Sequence, residues 1–243
     1  MKTIKEIKEY AKYLKLSYIS NNIDKEVEMA ETLKLPASQL VCDLLKKESN
    51  LRYENGKISR IRQANLPYKK YLDELNVERL PIDAKEKLNS MKSMDFVKNG
   101  QNIILAGNPG TGKTHLAIGL GVEAAMQGFK VRYYTVPTLI NTLKELKSQR
   151  NLLSIQHQFE SIDLIILDEL GYISFDKEGA ELLFTHLSLR AERKSTIITT
   201  NLKFDKWQTI FHDPIMTAAV IDRLTFKSFV VNMNGNSYRL QNN

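Results

Sequence analysis

Residues 107 to 114 read Gly-Asn-Pro-Gly-Thr-Gly-Lys-Thr, set between the apolar run Ile103 to Ala106 and a stretch of helical character that begins at His115. A glycine-rich loop of this spacing needs a strand before it and a helix after it, and both are legible here. Gly107, Gly110 and Gly112 let the backbone turn tightly and aim N–H groups at a polyphosphate, which the positive end of the following helix also attracts. Asn108, Pro109, Thr111 and His115 complete the set expected around a nucleotide. Lys113 is expected to reach the outer phosphates, and the Thr114 hydroxyl to ligate Mg2+. The chain is thus expected to bind a nucleoside triphosphate.

The 243 residues are enough for one large or two modest domains. No apolar run is long enough to cross a bilayer, and Met1-Lys-Thr-Ile-Lys-Glu6 lacks the apolar core of a signal peptide, so a cytoplasmic protein without a membrane partner is expected. Cys42 is the only cysteine, which excludes an intrachain disulfide and a multi-thiolate zinc site and leaves helix packing as its expected role. His115, His157, His186 and His212 form no close-set pair of metal ligands in the sequence. A net charge of +7 favours a polyanionic partner without requiring one.

Helices dominate the first part of the chain, and strands alternate with helices after it. The expected division is a small helical N-terminal domain for adaptor, DNA or partner contacts, residues 1–80, and an α/β domain, residues 81–243, with the boundary near Pro81. Thr3 and Glu6 have capping-box spacing, and Ile4, Ile7, Ala11 and Leu14 then share one helical face. Asp24 is a candidate start for a second helix ending before Pro36, Leu40, Val41, Leu44 and Leu45 mark a third, and Asn55-Gly56 is expected to break it. From 58 to 80, Arg60, Arg62, Lys69 and Lys70 interleave with Tyr68 and Tyr71; solvated helix surface is the favoured reading, contact with nucleic acid or protein the other. Asp83 is positioned to cap a helix towards Val97. Besides Ile103 to Ala106, the runs 130–136, 164–167, 196–199 and 229–231 are short, β-branched or aromatic and separated by helix-length segments. That alternation predicts a parallel sheet covered by helices.

Leu164-Ile-Ile-Leu-Asp168-Glu169 is a second candidate site. A buried strand ending in two carboxylates suits a divalent cation beside a polyphosphate: Asp168 is expected to hold the metal and Glu169 to polarise the attacking water. A third strand, Ser195-Thr-Ile-Ile-Thr-Thr-Asn201, ends in polar groups at the edge where open α/β sheets collect ligands. Its Asn201 amide can both donate to a phosphate oxygen and accept from water, as a γ-phosphate sensor must.

Loop, acid pair and polar-ended strand in this order resemble the AAA+ ATPases of the initiator and helicase-loader clade. Leu167-Asp-Glu-Leu-Gly-Tyr172, Phe175 to Phe184, Asp213-Pro214, Ile221 to Leu224 and Gly235 to Arg239 further resemble the IstB-like transposition helper ATPases, over essentially the whole chain. The resemblance implies ATP and Mg2+ as cofactors, ATP hydrolysis, ATP-dependent self-association on double-stranded DNA, and recruitment of the transposase of the same insertion sequence. It also implies that Arg223 is an arginine finger completing a neighbour's site, against the alternative of a helix residue salt-bridged near Asp222. Arg239 would be a second nucleotide sensor, without room in the sequence for the helical lid that carries it in many AAA+ proteins.

The initiator clade inserts a helical element after the second strand to grip DNA, and residues 137–159 stand there. Leu139, Leu143 and Leu146 make an inward stripe with Lys144 and Lys147 beside it, and the helix is expected to end or bend between Ser148 and Asn151. Lys144, Lys147 and Arg150 are the candidate DNA contacts, with a solvated basic face as the alternative. A DnaC- or DnaI-like helicase loader would use the same engine, and a small-molecule kinase or a non-hydrolysing ATP switch would use the same loop. Lone Cys42 argues against a zinc-bearing loader, and Glu169 beside Asp168 argues against the last two.

Overall fold

The first amides of an α-helix have no partner inside it and must find one elsewhere. The structure, a computed structural model that describes residues 2–238, opens with α1 (Lys2–Tyr13), α2 (Ser17–Thr32) and α3 (Ala37–Gln63). At the head of α2 the N–H groups of Ser17, Tyr18 and Ile19 all donate to the Glu48 carboxylate of α3, at 3.1, 2.7 and 3.1 Å. The second helix therefore starts at Ser17 rather than Asp24, because its cap comes from another helix and leaves no local signature. Ala11, Ile19, Ile23 and Leu44 close a small core here. Beside it the Lys47 ammonium and the Tyr18 hydroxyl both donate to Glu26, holding its carboxyl below the usual range.

Two further expectations for this region fail. Asn55-Gly56 does not interrupt α3: an interior glycine costs only about 1 kcal/mol, too little to stop a helix already propagating on both sides. Cys42 is exposed rather than packed, as are Val41 and Leu45, so only Leu40 and Leu44 of the expected apolar face are covered within this unit.

Contacts divide the chain into one unit up to Ser59 and a second from Arg60 onward, earlier than the boundary expected near Pro81. Leu72, Leu75 and Leu80 account for the difference, since all three are buried in the core of the second unit. The helix ends at Gln63, and residues 64–80 run as irregular chain broken only by a single 3-10 turn at Val77–Arg79, rather than as a continued α-helix. Next come α4 (Ile82–Lys92) and α5 (Asp95–Lys98), separated where Met94 takes a left-handed φ of 59°. Asp83 does not cap α4; its carboxylate accepts from the Asn232 N–H at 2.6 Å and pairs with Lys87 at 2.6 Å.

The strands are β1 (Ile103–Ala106), β2 (Val131–Thr135), β3 (Leu164–Leu170), β4 (Ser195–Thr200) and β5 (Phe229–Asn232), all parallel in the order β2-β3-β4-β1-β5. Between them lie α6 (Lys113–Met126), α7 (Val136–Ser148), α8 (Leu152–Ser161), α9 (Lys177–Arg190), α10 (Gln208–Phe211) and α11 (Pro214–Thr225). Side chains alternate across a strand. Ile103 and Leu105 therefore join a core with α4 and α6, while Ile104 joins one with α7, α8, α9 and α11. The α/β fold expected from the alternation of segments is the one observed. Among the described residues no helix is long and apolar enough to cross a membrane.

A buried arginine that the sequence does not advertise ties this framework together. Arg190, 1% exposed, donates to the carbonyls of Phe159, Ile162, Asp163 and Ser195, so its planar fork joins the end of α8 to the starts of β3 and β4. Burial pulls its pKa down to about 9.

Glu48→Ala would leave three amides of α2 without their acceptor, at a cost of about 1–3 kcal/mol. Hydrogen exchange should show Ser17, Tyr18 and Ile19 losing protection in this variant while β1 and β4 keep theirs; unchanged protection at the three amides would refute the cap.

Candidate functional site

The phosphate loop leaves β1 at the carboxyl edge of the sheet, where β1 lies between β4 and β5. The Gly107 N–H donates to the Thr200 carbonyl at 3.1 Å, and a Cβ on Gly107 would stand 2.2 Å from the Met233 carbonyl carbon, so only glycine fits there. Gly110 and Gly112 take φ values of 79° and 90°, which side chains rarely adopt. Gly112 then opens α6 with no side-chain cap, the kind of helix start that suits an anion. Lys113, 4% exposed, folds back so that its ammonium donates to the Gly107 and Asn108 carbonyls at 2.7 and 2.6 Å, and the Thr111 hydroxyl donates to Asn108 O at 2.9 Å.

Neighbouring residues of a regular strand point to opposite faces, so Asp168 and Glu169 could not both serve one ligand from an undistorted β3. The strand is distorted at that point. Leu167 pairs with Ile198 and Leu170 with Thr200, so two residues of β3 oppose Thr199 alone, and Glu169 takes a left-handed φ of 66°. This bulge leaves Asp168 buried, with Oδ1 accepting from the Thr114 hydroxyl at 3.0 Å, and turns Glu169 outward. Gly171, at φ 85° and packed under Leu202, completes the turn that follows the strand. The selective Leu-Asp-Glu-Leu-Gly-Tyr stretch is the code for this bulge and turn.

A cavity of about 410 Å³ lies over the loop, lined by Pro109, Gly110, Gly112, Lys113, Thr114 and His115 and by Glu169. Its far wall was not legible in the sequence: Tyr68, Leu75 and Asn76 from the irregular segment after α3, Tyr172 after β3, and Tyr238. Aromatic letters flagged only Tyr68, and the chain after β5 entered the sequence reading only through the family resemblance of Gly235 to Arg239, which singled out Arg239 and not Tyr238. That chain crosses the loop. Asn234 Oδ1 accepts from the Asn108 N–H at 3.1 Å, the Tyr238 N–H donates to the Gly110 carbonyl at 2.9 Å, and the Tyr238 hydroxyl donates to Asn76 O at 3.2 Å.

Asn201 follows β4 and lines a neighbouring cavity with Gly107 and Asn108 rather than the larger one. Its Oδ1 is buried without a hydrogen-bond partner among the described residues, as is His115 Nε2. Arg223 is exposed on α11, away from the cavity; no ion pair engages it among the described residues, and it lies over the Phe184 ring at 4.8 Å and donates to the Ser188 hydroxyl. Lys144 and Lys147 are not free cations. Lys144 pairs with Asp176 at 2.6 Å and lowers its pKa, and Lys147 pairs with Glu178 at 2.7 Å, which raises that of the lysine. Arg150 is exposed in the break between α7 and α8 at φ 54°, where the sequence put the end of the helix. Arg239 lies outside the described residues.

The glycine cradle, the uncapped helix and the buried lysine suit a polyphosphate. Among the described residues no three His, Cys, Asp or Glu side chains gather into a metal cage, and none is needed for Mg2+, which keeps several waters and takes few protein ligands. Thr114 and Asp168 are the residues that could hold it.

The family model of the IstB-like ATP binding proteins matches residues 9–243. A protein of insertion sequence IS21 from Pseudomonas aeruginosa, named for ATP binding, is 36% identical over 228 residues, 94% of this chain and 86% of that one. One of insertion sequence IS232 from Bacillus thuringiensis subsp. berliner, named likewise, is 31% identical over 229 residues, 94% of this chain and 92% of its own length. Among solved structures, DnaI superposes with a TM-score of 0.57 at 19% identity over 68% of this chain and 90% of its own. AMPPCP-bound DnaA from Aquifex aeolicus gives 0.58 at 20% identity over 72% of this chain and 53% of that one. Those two likenesses show a shared fold and nothing beyond it. The sequence matches reach further, because they run through loop, acid pair and tail alike: this chain belongs to the family of IstB-like ATP binding proteins.

Proposed function

We propose that the chain is a Mg2+-dependent ATPase that assists an insertion-sequence transposase, self-associating on duplex DNA with ATP bound, remodelling it, and recruiting and stimulating the transposase. One observation carries the ATPase reading: the β3 bulge turns Glu169 towards the cavity that Lys113 and Thr114 line, while Asp168 stays on the Thr114 hydroxyl. That the relatives belong to insertion sequences supports the helper over the helicase loader.

Lys113 would exchange two neutral carbonyls for phosphate oxygens, a stronger partner for an ammonium. The α6 amides would hold the same phosphates, with Tyr68 and Tyr238 beside the base. Thr114 and Asp168 would hold Mg2+, which when bound neutralises phosphate charge. Glu169 would accept the proton of the attacking water, and Asn201, whose Oδ1 is unpaired, would orient that water while its amide donates to the γ-phosphate. Arg223, exposed and outside the cavity, would complete a neighbouring subunit's site, and Arg239 would contact the nucleotide as a second sensor. Lys144, Lys147 and Arg150 would contact DNA phosphates once the exposed ion pairs to Asp176 and Glu178, weak in water, give way to the polyanion.

Lys113→Ala is expected to lose ATP binding, whereas Glu169→Gln should bind ATP and hydrolyse it at least a hundredfold more slowly, in line with the roughly 10²–10⁴-fold worth of a general base. Calorimetry and steady-state phosphate release separate the two, and near-normal turnover in Glu169→Gln would sink the assignment. Arg223→Ala should bind ATP but hydrolyse it on the order of 10³-fold more slowly. Mixing it with Lys113→Ala subunits should restore part of the rate, since one interface then pairs an intact loop with an intact finger; no recovery in confirmed mixed assemblies would place Arg223 in its own subunit's chemistry. For DNA, Glu178→Gln should free Lys147 and tighten duplex binding at low salt. The Lys144→Ala, Lys147→Ala double variant should lower the slope of log affinity against log salt by about 1.8, at roughly 0.9 per lost phosphate contact. Anisotropy across a salt series reads both, and an unchanged slope would remove α7 as the grip.

A further inference from the structure

Asp168 is 2% exposed and forms no ion pair with a lysine or arginine among the described residues. A buried carboxylate without a cation survives only if its oxygens are well hydrogen-bonded. Three hydroxyls do this, from three different elements. Thr114 of α6 and Thr199 of β4 both donate to Oδ1, and Tyr133 of β2 donates to Oδ2 at 2.7 Å. Thr114 belongs to the phosphate loop. The other two have no role in the reading above.

Their geometry is specific to orientation. A carboxylate held at one oxygen can still rotate about its Cβ–Cγ bond; held at both, from opposite strand neighbours, it has one plane. The Tyr133 ring is itself fixed, 7% exposed on β2, with its backbone N–H donating to the Ala64 carbonyl at 2.8 Å. Thr199 has a second duty. Its oxygen accepts from the Glu169 N–H at 3.0 Å while its proton goes to Asp168, so one hydroxyl fixes both acids of the bulge.

We propose that Tyr133 and Thr199 are positioning residues for the Mg2+–nucleotide complex: they lock the Asp168 carboxylate in the plane that presents its Oδ1 edge beside Thr114, and Thr199 also holds the backbone of Glu169. The proposal rests on the ATPase reading. It goes beyond that reading in assigning metal affinity to two hydroxyls that would touch neither metal nor nucleotide. Partners that orient a metal ligand typically change metal affinity by about 10–100-fold when removed.

The test is binding of a fluorescent, slowly hydrolysed ATP analogue to the full chain, in EDTA and across a Mg2+ titration, for wild type, Tyr133→Phe, Thr199→Val and Thr199→Ser. Tyr133→Phe keeps the ring and its packing. It should bind the analogue in EDTA as wild type does, and need about tenfold more Mg2+ to reach the tight complex. Thr199→Val should show the same displaced Mg2+ midpoint, and Thr199→Ser, which keeps the hydroxyl, should restore it. A wild-type midpoint in Tyr133→Phe and Thr199→Val would overturn the proposal, and so would an equal loss of affinity with and without Mg2+, the mark of a merely structural role. Failure of the ATPase reading looks different: the wild type itself would bind no nucleotide, or bind it indifferently to Mg2+.

Discussion

A single buried carboxylate, Asp168, holds the second unit's working edge together. It receives hydroxyls from the helix that follows the phosphate loop, from β2 and from β4, so the loop cannot shift against the sheet without breaking a charge-assisted hydrogen bond in a dry setting. The parallel order β2-β3-β4-β1-β5 makes this possible by ending the strands along one edge. Where the regular strand would have sent Glu169 to the wrong face, a two-for-one bulge corrects it and leaves a non-glycine residue in a conformation that costs free energy. Such a cost persists only where the surroundings over-determine it, and the Thr199 hydroxyl on the Glu169 amide is that restraint.

Much of this is legible in the sequence, and the reason is locality. A phosphate loop, a strand ending in two acids and a strand ending in Thr-Thr-Asn are each written in consecutive residues, and so are the apolar runs that become β1 to β5, all found within a residue or two except for the end of β3. The bulge at Asp168 and Glu169 lengthens that strand to Leu170, because pairing with β4 resumes beyond it. What stayed hidden is long-range. Glu48 caps a helix whose start lies far from it in sequence, Tyr133 meets Asp168 only because β2 and β3 are neighbours, and residues 64–80 join the second unit through three leucines with no periodic pattern. Lys144 and Lys147 read as solvent-facing cations and do sit on the exposed flank of α7. Their acidic partners, Asp176 at the cap of α9 and Glu178 in its first turn, belong to a segment more than thirty residues away, with nothing in α7 itself to announce them.

The two units differ in how they are built. The first has a core of a few aliphatic side chains and leans on charge, with Glu48 on three amides and Lys47 and Tyr18 on Glu26. The second buries two apolar layers against a sheet covered on both faces, and two of its buried charges, Arg190 and Asp168, sit at junctions where several elements meet, while Lys113 serves the phosphate loop. Heat and acid should therefore act on them unequally.

The segment after β5 bears on how such a chain can change over generations. Ser237 Oγ stands 2.2 Å from where a Cβ of Gly110 would be, and the Met233 carbonyl carbon 2.2 Å from where one of Gly107 would be. The loop and the tail occupy each other's space. No side chain fits at either glycine while the tail lies where it does, so the tail, more than a hundred residues away in the chain, holds the loop to glycine at these points, and a chimera must bring a tail that follows the same path over the loop.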